Sequence, residues 1–358
     1  MSKKIVALGG DGVGPEVTEV ACGILESMGL GLEILKPPGG ESAIQEFGSA
    51  LPEETRKLCL EADAVLFGAA ASASLPILVF LRWKMDNFVN IRPVKYYPGA
   101  QTPLKSAEGI DFVILRENSE GFYPWGREGA IAQLAERWPE WTDACLGRRF
   151  SDYGEGAFAI RIITEAGARR MMKFACDFTE QRKMTGRPGK LTCVTKSNVL
   201  HQSCGIFQRA AEAEVKLHPG LAYEHYYIDD TCRRILRYSR DMDVIVTSNM
   251  FGDILSDEAA ELVGGLGLAA SACLGGQTPY FEPVHGSAPK YAGKNVINPT
   301  AMILSAMMML DHFGMTDAAR ALEAAVAAVY REGKHLTQDQ GGRATTTEFG
   351  QAVQRKLG

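Results

Sequence analysis

Short runs of apolar, often β-branched residues alternate along this chain with longer amphipathic stretches. A strand buried on both faces reads as a continuous apolar run, whereas a surface helix repeats its apolar positions every three or four residues. On that basis strands are predicted at 4–8, 64–67, 112–115, 190–194 and 244–247. Helices are predicted at 15–28, 52–61, 164–176, 198–212, 230–238, 299–313 and 318–332. The alternation is that of βα units around a largely parallel sheet. The segment 93–103, rich in Pro and Gly, reads as a crossing point between two domains.

A length of 358 residues exceeds one core of ordinary size, so two domains are expected. Net charge is −5 with no long Lys/Arg run, which argues against nucleic acid and anionic membrane as partners. The eight cysteines are scattered without a CxxC or Cys/His cluster, the usage of free thiols in a reducing cytoplasm. The apolar segment at the start is too short for a signal peptide and the longest apolar stretch, Asn298 to Leu310, is too short to span a bilayer, so the chain is expected to be cytoplasmic. Residues 124–154 carry Trp125, Trp138 and Trp141, three of the four tryptophans, among many charges. That mixture suggests a protruding arm or a dimer contact.

The chemistry concentrates in a few places. In the stretch Asp241 to Asp257 an apolar strand runs into a glycine turn and then into Asp253 and Asp257, four apart. On a helix these carboxylates share a face, and at the carboxyl end of a buried strand they point to a hard divalent cation, Mg²⁺ or Mn²⁺. Arg82, Arg92 and Arg116 are candidate clamps for a substrate with two or three carboxylates. Tyr123, seven residues after Arg116, is a candidate proton donor, and Lys196 a candidate base beyond a strand end. The loop GGDGVGPE lacks the third glycine of a dinucleotide fingerprint, so a Rossmann fold is disfavoured. Its glycines still let backbone approach a flat ligand. A later loop, from Glu282 through His285, Gly286, Ser287 and Ala288 to Asn298, has the small residues that face a diphosphate.

Taken in order, GGDGVGPEV, LRWKMDNFVNIRPVK, RENSEGFY, TKSNVL, YYIDD, NMFGDILSD, EPVHGSAPKYAGKNVINP and TQDQGGRATTTEF resemble the β-decarboxylating dehydrogenases of (2R,3S)-malate backbones. These are the isocitrate, isopropylmalate, homoisocitrate and tartrate/D-malate dehydrogenases, and the resemblance covers nearly the whole chain. It implies substrate arginines at Arg82, Arg92 and Arg116, a proton-donor tyrosine at Tyr123 and a catalytic lysine at Lys196. It implies metal aspartates at Asp253 and Asp257, with Asp229 supplied by the other subunit of a homodimer whose sites are shared. Asp230 adjoins Asp229 and competes for that last role.

The resemblance further implies cofactor contacts from His285, Gly286, Ser287, Ala288, Lys290, Tyr291 and Asn298. Lys290 and Tyr291 stand where NAD-using relatives carry an aspartate, which favours NADP, with NAD the alternative. Pro76 and Leu78 stand where isocitrate dehydrogenases carry Ser and Asn, so Leu78 is expected to face the group on C3. An apolar lining leaves a third carboxylate unpaired and favours an alkyl-substituted or unsubstituted malate. Ser72 and Ser74 are alternatives on the same segment.

The expected fold is α/β, isopropylmalate dehydrogenase-like, with a large mixed sheet flanked by helices. Residues 1–95 and 262–358 are expected to form a cofactor-side domain, and 96–261 a substrate and dimerisation domain. The expected activity is metal-dependent oxidative decarboxylation of a hydroxy dicarboxylate. Oxidation without loss of CO₂ and a silent regulatory subunit are the alternatives.

Overall fold

The computed structural model describes residues 2–124 and 126–358, so Trp125 lies outside the described residues. In chain order the strands are β1 (Lys3–Gly10), β2 (Leu32–Leu35), β3 (Ala64–Ala69), β4 (Val89–Lys95), β5 (Asp111–Glu117), β6 (Glu128–Ala130) and β7 (Thr142–Asp143). They continue with β8 (Arg148–Arg149), β9 (Ala157–Ala159), β10 (Lys190–Thr195), β11 (Ala222–Tyr227), β12 (Val244–Thr247), β13 (Ala270–Leu274) and β14 (Tyr280–Pro283).

Ten of these form one sheet in the order β11-β10-β12-β5-β4-β13-β14-β3-β1-β2. Its two flanks are parallel, but β4 runs antiparallel to both β5 and β13, and β13 antiparallel to β14. The sheet is therefore mixed, and the largely parallel arrangement read from the alternation holds only on either side of that centre. Strands from 1–95 and 262–358 occupy one contiguous side, and strands from 96–261 the other.

All five predicted strands are present, each within the bounds of an observed one. Five other strands of the ten-stranded sheet escaped the apolar-run criterion. β4 contains Arg92 and Pro93, β11 is an edge strand of part-exposed polar and aromatic residues, and β13 is built of small residues. β12 shows the criterion at its best, since all four residues are buried and each Val or Ile there contributes on the order of 1.5–3 kcal/mol.

Helices Gly14–Ser27, Thr300–His312, Thr316–Glu332 and Thr346–Leu357 pack together about the β1–β3 and β13–β14 side. Glu165–Met184, Ser203–Val215 and Asn249–Glu261 serve the other side. The helix predicted at 164–176 continues to Met184, and that predicted from 198 starts only at Ser203. Gly252 lies inside the helix Asn249–Glu261, so the expected glycine turn is absent.

The arm is a short β6–β9 ribbon carrying a helix, Ile131–Arg137, and the small β7–β8 hairpin. Trp138 meets Trp141 edge-on at 5.8 Å, and Trp141 lies 4.9 Å from Phe150. Both indoles are about half exposed. All eight cysteines are free thiols. Among the described residues, no helix is long and apolar enough to cross a membrane.

Candidate functional site

Asn90 and Arg92 are two apart on β4 and so share a face, and Asn90 pairs across the ladder with Arg116 of β5. The helix Asn249–Glu261 leaves β12, the other neighbour of β5, and crosses Arg116. A side chain at Gly252 would come within 2.7 Å of the Arg116 Cβ, so glycine is what lets the helix lie this close. One row of this helix then presents Asn249, Asp253 and Asp257 at successive turns, running from the buried Asn249 to the exposed Asp257.

Arg116 is buried, and each of its three guanidinium nitrogens has one partner. Asn249 Oδ1 accepts from Nε at 3.1 Å and Nη2 at 2.7 Å, while Nη1 makes a short contact with Asp253. Arg92 Nη1 donates to Ser256 Oγ at 2.6 Å and lies 3.1 Å from Asp253 Oδ1 and 3.6 Å from Asp257 Oδ1. Arg82 comes from a π-helical turn, Val79–Lys84, a geometry frequent at functional sites. Its Nε reaches Tyr280 Oη at 3.2 Å and its Nη2 reaches Glu282 at 3.3 Å. The Arg116 guanidinium lies 5.2 Å from the centre of the Tyr123 ring.

This crowding governs the protonation of its members. Burial, then the charges of Arg92 and Arg82, push Arg116 down to about 9 against the pull of Asp253. Burial alone would raise Asp253, but Arg116 and Arg92 outweigh it and hold the carboxyl below its ordinary value. Asp257 lies above the ordinary value, because burial and repulsion from Asp253 exceed the help of Arg92. Burial and the adjoining Asp253 carboxylate raise Tyr123, keeping its hydroxyl proton in place.

The structure thus brings Arg82, Arg92, Arg116, Tyr123, Asp253 and Asp257 together. It keeps Lys196 and Asp229 apart from them, as an ion pair of their own at 2.5 Å beyond the ends of β10 and β11. Among the described residues, no hydrogen bond or ion pair joins that pair to the arginine cluster. Asp230 is taken up by Arg233 and Arg234 on its own helix.

A third group lines a cavity of about 650 Å³ that includes Val13, Leu266, His285, Gly286, Ala288, Tyr291, Asn298 and Asp339. Among the described residues, His285 Nε2 has no hydrogen-bond partner; it is buried, and burial keeps the ring neutral by lowering its pKa. Ala288 sits at φ 38°, a left-handed conformation that costs a non-glycine residue energy. The Asn298 side chain is satisfied internally by Tyr330, Asp339 and the Thr300 amide. Ser287 is buried, and its carbonyl accepts from the Val13 amide at 2.9 Å. Lys290 is exposed at the mouth, with Nζ 4.8 Å from the Tyr291 ring centre.

Leu78 lies four residues before Arg82 and packs on the core beneath β1 and β3. A separate cavity of about 950 Å³ is lined by Leu51, Leu60, Leu75, Pro76, Val79 and Phe80, among others, with Ser72 on its edge. Ser74 is buried against Asp11 and is not available to a ligand. Asn249, Ser256, Tyr280, Glu282 and Asp339 were not singled out from sequence as functional. Only Asn249 carried a signal, its four-residue spacing from Asp253.

The family model described as isocitrate/isopropylmalate dehydrogenase matches residues 4–353. The chain is 42% identical over 351 residues to a 3-isopropylmalate dehydrogenase of Archaeoglobus fulgidus, covering 98% of each chain. It is 38% identical over 364 residues to an isocitrate/homoisocitrate dehydrogenase of Thermus thermophilus, covering 100% of this chain and 99% of the other. A solved isocitrate dehydrogenase from Methylococcus capsulatus superposes with a TM-score of 0.87 at 31% identity, over 100% of this chain and 99% of that one. With matches of that extent joined to this mixed sheet, the chain belongs to the isocitrate/isopropylmalate dehydrogenase family.

Proposed function

We propose that this protein oxidises and decarboxylates a (2R)-malate, alkyl-substituted or unsubstituted at C3, with a nicotinamide dinucleotide as hydride acceptor and Mg²⁺ or Mn²⁺ as resident metal. The observation that carries the reading is the meeting of three buried arginines with two aspartates and a tyrosine. Three guanidinium charges, Arg82, Arg92 and Arg116, face three carboxyl groups, Asp253, Asp257 and Glu282. A divalent cation with a dicarboxylate leaves that balance unchanged, whereas a tricarboxylate adds one uncompensated charge in a buried setting.

The donor set at Asp253 and Asp257 suits a hard cation, being oxygen only, with Asp253 held ionised. Asp229 of a second subunit would complete it. When bound there, the metal favours loss of the substrate hydroxyl proton and steadies negative charge on oxygen. The arginines fix the carboxylates and Lys196 takes the hydroxyl proton, while a dinucleotide held at the His285 cavity would supply the hydride acceptor for C2. The ketone so formed lies β to a carboxylate, CO₂ departs, and Tyr123 returns a proton to the carbon to give a 2-oxo acid. The raised pKa of Tyr123 suits a donor that must keep its proton at neutral pH.

The cavity at His285 suits the adenosine half of the dinucleotide, since the orphaned Nε2 of a neutral imidazole accepts from an amino or ribose donor. Lys290 beside it favours a 2′-phosphate and hence NADP. Residues 1–95 and 262–358 would form the cofactor side, and 96–261 the substrate and dimer side, in keeping with their contiguous places in the sheet. The internal Lys196–Asp229 pair, which among the described residues makes no bond to the arginines, suits residues that serve a partner's site in a cytoplasmic homodimer.

The test is turnover of purified protein with Mn²⁺, NADP or NAD, and a panel of 3-isopropylmalate, D-malate, tartrate and isocitrate, with CO₂ measured alongside. One CO₂ per dinucleotide reduced on a malate other than isocitrate is expected. Reduction without CO₂ defeats decarboxylation, and no turnover at all favours a regulatory subunit.

A further inference from the structure

The loop GGDGVGPE was read from sequence as one that brings backbone close to a ligand. Its glycines are filled by protein instead. Gly12 has φ 59°, and a Cβ there would lie 2.0 Å from the Ser287 carbonyl oxygen. That same oxygen takes the Val13 amide at 2.9 Å, so the loop is stitched to the segment carrying His285.

Between those glycines stands Asp11, which is 2% exposed. Its Oδ1 accepts from the Glu41 amide at 2.8 Å and Ser74 Oγ at 2.6 Å. Its Oδ2 accepts from the Ala71 amide at 2.8 Å and the Ser74 amide at 3.0 Å. Both oxygens are thus held by neutral donors. A carboxyl group buried among four donors from two segments is a clamp, because removing either acceptor strands N–H groups away from water. Ser74 is the residue that opens the helix Leu75–Leu78, and Arg82 lies on the turn that continues it. Two residues after the clamped Asp11, Val13 holds Ser287.

We infer that Asp11 is a positioning residue that ties the segment carrying Arg82 to the loop carrying His285, and so couples the placement of substrate and dinucleotide. The assignment of those two ligands rests on the function proposed above; the mechanical link does not. Asp11 touches neither ligand and acts through Ser74 on one side and Val13 on the other.

The experiment compares wild type, Asp11→Asn and Ser74→Ala. An amide at position 11 offers one acceptor and one donor group, so two of the four N–H or O–H groups meet an NH₂. Ser74→Ala removes only the hydroxyl contact and keeps the carboxyl group. Hydrogen exchange should accelerate by about tenfold or more in Asp11→Asn at Glu41, Ala71 and Ser74, and also at Val13, with the helix Thr316–Glu332 unchanged. With 3-isopropylmalate and NADP as probes, both KM values should rise about tenfold while kcat changes less than about threefold, and Ser74→Ala should shift them in the same direction by a smaller factor. Faster exchange confined to Ala71 and Ser74, with Val13 and both KM values unmoved in either variant, overturns the coupling. If wild type turns over none of the panel, the proposed function fails, and exchange at Val13 still decides whether the link exists.

Discussion

Asn249 and Arg116 form a fixed unit in which one amide oxygen accepts from two N–H groups of the guanidinium, at 3.1 Å and 2.7 Å. The acceptor sits on the same helix row as Asp253, so the arginine is aimed by the element that carries the aspartates. Replacing Asn249 with Leu keeps the branching at Cγ and removes the acceptor. Hydrogen bonds to charged groups are worth about 1.5–3 kcal/mol, so kcat/KM for the malate substrate should fall roughly ten- to a hundredfold. The loss should appear mainly in KM, as expected when an arginine that holds the ground state is misaligned. A kcat-only effect in steady-state kinetics would reject this role.

Asp257 gives a prediction with a sign. Burial raises its pKa in the folded chain, so as pH rises the unfolded chain gives up this proton first. Between the ordinary carboxyl value and the raised one, the native state binds more protons, and the metal-free protein loses stability as pH increases. Asp257→Asn should therefore raise Tm of the metal-free protein at neutral pH. In wild type, Mn²⁺ should more than recover the deficit, by about 2.7 kcal/mol at a hundred times its Kd. The variant should lose that Mn²⁺-dependent rise, and a retained rise in thermal melts would remove Asp257 from the metal site.

Lys290 is exposed beside the cavity rather than among its lining residues, so its influence on the dinucleotide is electrostatic. Lys290→Asp reverses the local charge and should lower kcat/KM for NADP relative to NAD by about tenfold, with a smaller effect at high salt. Both cofactors should be assayed at two ionic strengths. An unchanged ratio would mean that the cofactor choice lies elsewhere in the loop.

The legible parts of this protein were those whose chemistry is continuous in sequence. β12 is wholly buried, and its run of Val, Ile, Val and Thr followed by two aspartates at helical spacing revealed both a strand and a helix face. The sheet centre was hidden because β4 carries Arg92 and Pro93, whose polarity makes sense only once Ser256 and Asp253 stand opposite. Glu282 and Tyr280 were hidden for a related reason. They lie about two hundred residues from Arg82, and only strand order brings them together. Asp11 looked like one more loop residue because three of its four partners are backbone amides, which leave no trace in sequence pattern, and the fourth, Ser74 Oγ, lies 63 residues away. The resemblance supplied what periodicity did not, by linking distant motifs in one order.

The placement of Lys196 leads to the most direct test of a shared site. Within one chain its ammonium is neutralised by Asp229, and both stand apart from Asp253. If each active site takes Lys196 from the opposite subunit, Lys196→Met and Asp253→Asn are both inactive alone, because every site in either homodimer lacks one group. A hybrid dimer then holds one site with wild-type Asp253 and wild-type Lys196, and one site lacking both. Random reassortment makes half the dimers hybrids with half their sites intact, so mixing should restore about a quarter of wild-type activity. Denaturing and refolding the two variants together, followed by assay, supplies the measurement. If each site draws Lys196 from its own chain, no mixture recovers activity, and the internal ion pair must open within one subunit for Lys196 to act.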